Sequence, residues 1–344
     1  ARPLLEVMNT PADIIEDSYA YIIVIYYGVA ATAFYNLLSC IIRALGDSKT
    51  PLIFLVFASF LNVALDLLFI ITFHMGVGGA AWATVLSQGV SGLLCLGYAW
   101  RRFPLLRMEK RHWTFDWSYA WKHLRLALPM AMQFVITGTS VLVNQAVLNL
   151  FGSAAVAAFS AASKIHMLSE QVAVSFGTAM ATYAGQNYGA GKAGRVREGL
   201  RKCALACEAI TLGIMVIMTA FGGVMSSWFI DGYHPEVIQQ AHLYLFISAL
   251  FYPALTMLFL YRNTLLGLGN GVTPMLAGVC ELLSRMIGAP VLGHFFGFTG
   301  LCWINPIAWV TASGLLFLSY RKTMRNIRPV DPTVDASDSN KIMN

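Results

Sequence analysis

The residues RALGDSKTP at 43–51 return, with changes, as LLGLGNGVTP at 265–274, and each copy leads into an apolar segment. Gly46 matches Gly269, and Pro51 matches Pro274, at an offset of 223 residues. A repeat of this kind inside an apolar chain indicates a duplicated membrane unit, which is typical of transporters.

The similarity continues on both sides of this stretch. A Gly-x-x-Gly turn and a tryptophan follow at an offset of 221: Gly76, Gly79 and Trp82 in one copy, Gly297, Gly300 and Trp303 in the other. Upstream, Asp13, Ile15 and Tyr21 match Glu236, Ile238 and Tyr244. One short gap thus keeps the register over about 70 residues, which is too long for a chance match.

The composition indicates a membrane protein. Of the 344 residues, 57% are hydrophobic and 12% charged, and the mean hydropathy is +0.63, so polar surface is too scarce to cover a water-soluble domain. About 20 apolar residues are needed to cross the hydrocarbon core as a helix. Nine stretches fit: 18–42, 51–73, 79–100, 126–150, 154–183, 203–229, 238–262, 274–293 and 300–320. The predicted fold is all-α, a polytopic membrane helical bundle.

Lysine and arginine follow alternate connections between these spans. They concentrate at 43–49, 101–125, 192–202 and 321–328, whereas the other connections carry few, and two of those are acidic. The positive-inside rule then places the C-terminus in the cytoplasm and residue 1 outside the cell membrane. The same bias explains the sequence pI of 9.0, so no nucleic-acid partner is expected.

The order of the helical blocks predicts two pseudo-symmetric lobes. The block at 18–103 returns at 238–322, and a different three-helix block, 126–229, lies between them. This pattern is one block short of two six-helix lobes, so we expect three helices before Ala1 and twelve in all. The predicted domains are the end of an N-terminal lobe at 1–103, a cytoplasmic linker at 104–125, a C-terminal lobe at 126–322 and a disordered cytoplasmic tail at 323–344.

The sequence lacks the signals of an enzyme or a metal centre. The six cysteines show no C-x-x-C, the histidines are scattered and mostly near loops, and no His/Glu pair has convincing ligand spacing. The glycine-rich AGQNYGAGKAG at 184–194 follows a helix and lacks a Walker pattern. We therefore expect no enzymatic activity, no cofactor and no metal site other than a Na⁺ site at Asp66.

Asp66 stands inside the second span, four residues after Asn62. A carboxylate at this depth must be protonated, paired with a cation or beside water. Counting about 1.5 Å per residue from the turn near Gly76 places Thr84 level with Asp66, and Asn36 in a comparable layer. Such oxygen-rich groups suit a monovalent cation or a proton. The alternative is that the two asparagines and Thr84 join helices by hydrogen bonds and that Asp66 caps a broken helix.

Polar residues also mark the predicted second lobe. Glu281 and Arg285 stand at i and i+4, where they can neutralise each other, and a role in substrate binding is the alternative. Gln133 on the fourth span, and Lys164 and Glu170 on the fifth, are further polar residues in apolar segments.

Methionine and aromatic residues in the same lobe would suit a cavity for flat lipophilic cations, with ordinary packing as the alternative. They are Met130, Met132, Phe134, Met167, Met257, Phe259 and Tyr261. Prolines within the apolar segments can bend helices. They are Pro129, Pro253, Pro290 and Pro306.

Seven motifs, in this order and spacing, resemble the multidrug and toxic compound extrusion (MATE) family from about residue 4 to 322. They are RALGDSKTP, NVALD at 62–66, ALPMAMQ at 127–133, GSAAVAAFSAASKI at 152–165, AGQNYGAGK at 184–192, LLGLGN at 265–270 and the E-x-x-x-R of Glu281 and Arg285. Family members have twelve helices in two lobes. The resemblance therefore implies that this chain corresponds to the fourth helix onward.

The resemblance implies an efflux antiporter that exchanges inward Na⁺ or H⁺ for an outgoing amphipathic, often cationic, compound by alternating access. The chain looks like the DinF-like branch, which has a coupling site in the first lobe. The residues that look like this site are Asn36, Asn62, Asp66 and Thr84, with the carbonyl of Ala80 as a further ligand and a carboxylate expected before Ala1. Thr137 stands where the NorM-like branch has a functional Glu, which argues against a second-lobe cation site of that kind.

The alternative function is a lipid-linked oligosaccharide flippase of the same superfamily. Such a flippase is expected to have a strongly basic central cavity, and buried basic residues are few in this sequence. The expected partners are a small drug-like substrate and membrane lipid, and we expect a monomer.

Overall fold

The computed structural model describes residues 2, 5, 14–107, 114–230, 232 and 234–327. Within these ranges the chain forms nine α-helices and no strand, which confirms the predicted all-α membrane bundle. Some residues used in the sequence analysis lie outside the described ranges: Asp13 of the repeat, Lys110 and Arg111 of the basic connection, and 328–344 of the predicted tail.

The chain divides into two compact units, Ala1–Phe115 and Asp116–Asn344, and the division falls inside the predicted linker 104–125. The first unit contains α1 (Ile15–Ala44), α2 (Lys49–Leu67) and α3 (Gly76–Arg102). A π-helical turn, Leu68–Thr72, directly follows α2, and a 3-10 turn, Pro104–Leu106, follows α3. Helix α3 packs along α1 and α2, whereas α1 and α2 make little contact.

The second unit contains six helices: α4 (Trp117–Asn149), α5 (Gly152–Gly189), α6 (Ala193–Ser227), α7 (Pro235–Leu250), α8 (Tyr252–Gly267) and α9 (Val272–Asn326). Helix α9 packs mainly on α4 and α8, and α5 packs mainly on α8, α6 and α7. The largest buried cluster lies among α5 to α9 and includes Tyr244, Tyr252 and Leu260.

Length and hydropathy support membrane insertion. Among the described residues, six helices are long and apolar enough to cross a bilayer, and α7 with α8 would form a seventh, bent span. The predicted span 154–183 corresponds to α5, which has 38 residues. Helix α5 is not one of the six, since Lys164, His166 and several serines and glycines lower its mean hydropathy.

One predicted span is divided into two helices in the structure. The span predicted at 238–262 consists of α7 and α8, which meet at an angle of 54° at Phe251. Pro253 stands in the first turn of α8, where a proline needs no N–H partner and cannot continue a preceding helix. The sequence therefore predicted a bend here but not two separate helices.

The spans predicted at 274–293 and 300–320 run together as α9, whose 55 residues would greatly exceed a bilayer of about 30 Å. Gly297 interrupts α9 with φ 58° and ψ −142°, a conformation that essentially only glycine adopts. Its counterpart in the repeat, Gly76, has φ 57°. The predicted Gly-x-x-Gly turn is thus present in both copies, and the break lies at neither Pro290 nor Pro306.

The opening repeat forms the same turn twice. In the first copy, the N–H of Asp47 donates to the carbonyl of Ile42 (3.2 Å), and the N–H of Gly46 donates to that of Arg43 (3.0 Å). In the second copy, Asn270 donates to Leu265 (2.9 Å) and Gly269 to Leu266 (2.9 Å). Gly46 and Gly269 have φ 96° and 81°. This pairing is the Schellman motif, which ends a helix with a left-handed glycine.

The side chain after that glycine starts the next helix in both copies. Asp47 accepts from the N–H of Thr50 (3.0 Å), and Asn270 accepts from the N–H of Thr273 (3.1 Å). A hydroxyl group on the last helix of each block then donates a hydrogen bond to a residue at this turn. Tyr98 donates to Asp47 (2.6 Å), and Ser319, 221 residues later, donates to Thr273 (3.0 Å).

Replacing Tyr98 with phenylalanine should weaken the first turn. The hydroxyl of Tyr98, followed by the N–H and hydroxyl of Thr50, lowers the pKa of Asp47 from 3.8 to about 2. Because the pKa of the folded state is the lower one, the stabilisation is complete above pH 3.8 and is lost as the pH falls through about 2. We expect Tyr98→Phe to lower the free energy of unfolding at pH 7 by about 1 kcal/mol, since the acceptor is charged but only half-buried.

Thermal unfolding of the purified protein in detergent measures this change. The control is the same substitution in an Asp47→Asn background, where the acceptor is neutral and the loss should be smaller. An equal loss in the two backgrounds would show that Tyr98 acts through packing alone.

Candidate functional site

The first unit brings Asn62 and Thr84 together between α2 and α3. The amide of Asn62 donates to the hydroxyl of Thr84 (3.4 Å), and this hydroxyl donates to the carbonyl of Ala80 (3.1 Å). Three of the predicted site residues therefore form one chain of contacts. Because Ala80 lies inside α3, its carbonyl also accepts a backbone N–H of the helix.

Asp66 lies one turn after Asn62, immediately before the π-helical turn. Its Oδ1 atom is buried and has no hydrogen-bond partner among the described residues. Buried polar groups are normally paired, so an orphaned carboxylate oxygen indicates a site for a proton or a cation. π-helical turns are rare and occur often at functional sites.

Two polar residues of α3 were missed by the sequence analysis. Gln88 Oε1 and Ser91 Oγ are buried without a partner in the described chain. With Thr84 they stand at i, i+4 and i+7, so they continue one helix face. That spacing was readable in the sequence, whereas their lack of partners required the structure.

Asn36 occupies a different environment from the other predicted residues. Its side chain on α1 is exposed in the described chain. The structure records no hydrogen bond from Asn36 to Asn62, Asp66 or Thr84. Its predicted membership of the site stays a prediction.

In the second unit, Glu281 is the centre of a buried cluster of charges. Its Oε1 accepts a close hydrogen bond from Arg262 Nη2 on α8, and its Oε2 lies 3.5 Å from Arg285 Nη1. The side chains of Arg262, Glu281 and Arg285 are exposed by only 9%, 8% and 10%. The predicted neutralisation within one helix thus occurs, but the closer partner of Glu281 is Arg262.

Arg262 was missed because it stands at the end of the predicted span 238–262. A charged residue at that position is expected to lie at the membrane–water interface. A pairing between α8 and α9 cannot be deduced from spacing within either helix. The signal available in the sequence was the positive charge of Arg262 at the edge of an apolar segment, which indicates a buried partner.

Arg285 is also held by neutral oxygens. Its Nη1 donates to Ser140 Oγ on α4 (2.8 Å), and its Nε donates to Asn305 Oδ1 on the far side of the α9 break (3.0 Å). Asn305 in turn donates to the hydroxyl of Tyr244 (3.0 Å). The guanidinium therefore joins α4 to the two halves of α9.

A cavity of about 550 Å³ lies beside this cluster. Arg262, Glu281 and Arg285 line it together with Gln133, which is buried. Thr137 lines it as well. Of the predicted methionine and aromatic set, Phe134, Met167 and Phe259 line the cavity, and Met130, Met132, Met257 and Tyr261 do not. The second-lobe polar residues Gln133, Glu281 and Arg285 thus meet at one cavity.

The same cavity contains a histidine that the sequence analysis did not single out. His166 of α5 stacks on Trp309, with ring centroids 5.4 Å apart and planes at 17°. One ring nitrogen, Nδ1, lies 2.9 Å from the hydroxyl of Tyr252, and the other, Nε2, lies 3.9 Å from Glu170 Oε2. His166 and Glu170 are one helical turn apart on one face of α5, a contact that the sequence analysis did not consider.

Lys164 has a different role from Glu170. Its ammonium lies 5.3 Å from the ring centroid of Phe229 on the helix connection after α6. A cation over an aromatic face is stabilised without a carboxylate. Lys164 does not line the cavity.

Comparison with known proteins identifies the family. The sequence model of the MatE family matches residues 1–68 and 129–291. A relative from Bacillus subtilis, named probable multidrug resistance protein YpnP, is 33% identical over 320 residues, which cover 92% of this chain and 68% of the relative. Another from the same organism, named probable multidrug resistance protein YoeA, is 25% identical over 327 residues, covering 92% and 70%.

A solved structure supports the same assignment at the level of the fold. It is an outward-facing multidrug resistance MATE family transporter of the MOP superfamily, with a TM-score of 0.87 and 21% identity. The match covers 95% of this chain and 73% of that one. The chain therefore belongs to the MATE family of multi-pass membrane transporters and is not an enzyme.

Proposed function

We propose that this protein is a secondary active multidrug efflux transporter of the DinF-like branch. It exchanges Na⁺ or H⁺ for amphipathic, often cationic, compounds by alternating access across the cell membrane, with its C-terminus in the cytoplasm. The observation that carries this proposal is the orphaned oxygen of Asp66 beside the Asn62–Thr84 pair. The names of the relatives support the drug-like substrates.

Coupling follows from the two forms of this carboxylate. A ligand shifts a conformational equilibrium only by as much as its affinity differs between the states. Ion or proton occupancy neutralises Asp66, so it favours the arrangement of α2 and α3 that buries the carboxylate most. Reciprocal coupling then lowers the affinity for drug when the ion is bound.

The cavity of the second unit supplies a suitable substrate site. A volume of about 550 Å³ accommodates a drug-sized molecule. Its walls combine aromatic rings with a few polar groups, and Glu170 provides a carboxylate that is 36% exposed at its side chain. Aromatic faces and one accessible carboxylate are suited to a lipophilic cation.

One observation bears on the flippase alternative. Two arginines, Arg262 and Arg285, line the cavity, which is more than the sequence analysis expected. Two carboxylates, Glu281 and Glu170, line it as well, so the four formal charges cancel. A cavity without net formal charge favours an amphipathic efflux substrate over a polyanionic lipid-linked sugar.

Replacing Asp66 with asparagine tests the proposal. We expect Asp66→Asn to abolish cation-driven efflux while the protein remains folded, because the amide cannot ionise. The measurement is dye efflux from cells that express the full gene, across a series of pH values and Na⁺ concentrations, with expression levels matched.

The matched control is Asp47→Asn, an acidic-to-amide change in the same unit, at a turn where the second copy already has Asn270. This variant should keep its cation dependence. Normal efflux with normal cation dependence in Asp66→Asn would refute the coupling role. Absence of efflux from well-expressed wild type would favour the flippase.

A further inference from the structure

The internal repeat allows the two polar sites to be compared position by position. Helices α1 and α8 end at Ala44 and Gly267, and α2 and α9 begin at Lys49 and Val272, in both cases 223 residues apart. Gly76 and Gly297 then stand at the offset of 221. The register of the repeat therefore holds in the structure on both sides of its gap.

Because α2 is a regular helix from Lys49 to Leu67, the offset of 223 extends to Asn62, which aligns with Arg285. Thr84 aligns with Asn305 at the offset of 221. Each aligned pair is in contact. Asn62 donates to Thr84 (3.4 Å), and Arg285 donates to Asn305 (3.0 Å). The two units thus join the second and third helices of the repeat through the same pair of positions.

The charges at these positions differ. Asp66 of the first unit aligns with Ala289, which is fully buried. Glu281 of the second unit aligns with Ala58, which is exposed by 2%. Among the described residues, Asp66 of the first unit therefore has no cationic partner, and Glu281 of the second contacts two guanidinium groups.

The oxygens around Arg285 are the kind that bind a hard cation. They are a hydroxyl from Ser140, an amide oxygen from Asn305 and a carboxylate oxygen from Glu281, at 2.8, 3.0 and 3.5 Å from guanidinium nitrogens. Hydroxyl, amide and carboxylate oxygens ligate hard cations in proteins. Here the side chain of Arg285 already uses all three.

We infer that Arg285 is a permanent, covalently attached cation at the position where the second unit would otherwise bind an ion. The second unit consequently binds no coupling ion, and one chain binds a single ion, at Asp66. A mobile cation is excluded both by the occupied oxygens and by repulsion from a charge within a few ångströms. This inference rests on the proposed function, and it specifies the number of coupling ions.

The test transfers the first site into the second unit. Arg285→Asn with Ala289→Asp recreates the spacing of Asn62 and Asp66, and Asp66→Asn in the same chain removes the original site. Purified full-length protein is assayed for sodium-22 binding at fixed pH and for proton uptake at fixed Na⁺. We expect wild type to bind one ion, Asp66→Asn to bind none, and the triple variant to bind one again.

Two further variants keep the test decisive. Ala289→Asp places a carboxylate in a fully buried position, which is costly for folding. The variant Asp66→Asn/Arg285→Asn, which lacks this change, is therefore measured in parallel. In that variant Glu281 keeps Arg262 as its partner, and the oxygens released by Arg285 should bind one ion. Asp66→Asn/Arg285→Lys retains the positive charge and should bind none.

The outcomes separate the inference from the proposed function. If the folded Arg285→Asn variants bind no additional ion relative to Asp66→Asn, the inference is wrong, whatever the role of Asp66. If Asp66→Asn alone still binds the wild-type amount, the coupling role of Asp66 fails. A further ion gained on Arg285→Asn in that case would support the role of Arg285 as a permanent cation and would contradict the assignment of the single ion to Asp66.

Discussion

Replacing Glu281 with alanine should be among the most destabilising substitutions in this protein, with a loss of about 3–5 kcal/mol in the free energy of unfolding. Glu281 contacts both Arg262 and Arg285, and the three side chains are exposed by no more than 10%. Removing the carboxylate leaves two buried positive charges without their shared partner. Arg262 is affected more, because its Nε has no hydrogen bond even in the wild type among the described residues.

The matched control removes the closest charge together with the carboxylate. Arg262→Met/Glu281→Leu replaces the pair with apolar side chains of similar volume, and such replacements are often neutral. We expect the double variant to recover most of the lost stability, since Arg285 keeps Ser140 and Asn305. Unfolding in detergent, followed by circular dichroism, measures both. A Glu281→Ala protein within about 0.5 kcal/mol of wild type would contradict the predicted burial of these charges.

The second large effect is expected at Gly300, close after the break in α9. A Cβ atom added there would lie 2.0 Å from the carbonyl oxygen of Leu292 and 2.5 Å from its carbonyl carbon. Both are backbone atoms, so the two halves of α9 would have to separate. We expect Gly300→Ala to cost about 3 kcal/mol or more, at the upper end of overpacking effects.

The repeat provides the comparison for this prediction. Gly79 is the counterpart of Gly300, and a Cβ atom there would meet only side-chain carbons within 3.0 Å, those of Met75 (2.9 Å) and Phe69 (3.0 Å). Gly79→Ala should therefore cost clearly less than Gly300→Ala in the same thermal unfolding assay. Equal losses would mean that the break in α9 is no tighter than the turn between α2 and α3.

Local signals in the sequence predicted local structure well. The Gly-x-x-Gly turns at Gly76 and Gly297 are determined by neighbours within a few residues. The caps that Asp47 and Asn270 supply are equally local, although the sequence analysis did not single them out. The bend before Pro253 belongs to the same class, because proline cannot donate the hydrogen bond that would continue the helix. These features needed no knowledge of which helices touch.

Contacts between helices were the part that the sequence could not supply. The partner of Glu281 proved to be Arg262, which is 19 residues away on another helix. The position of His166 between Trp309 and Tyr252 likewise depends on the packing of α5, α8 and α9. Counting residues from a turn places side chains at a depth in the membrane, but it does not give their direction around the helix axis.

The unequal lengths of the two copies bear on how the gene could tolerate insertions. The first copy has 25 positions from Pro51 to Gly76, and the second has 23 from Pro274 to Gly297. Two residues added to a regular helix rotate everything beyond them by about 200°, which would turn Thr84 away from Asn62. The extra length coincides with the π-helical turn Leu68–Thr72, after the polar positions of α2 and before α3 begins. An insertion at this one place lengthens the hairpin and leaves the facing pair intact, so natural length variation should accumulate there rather than within α2 or α3.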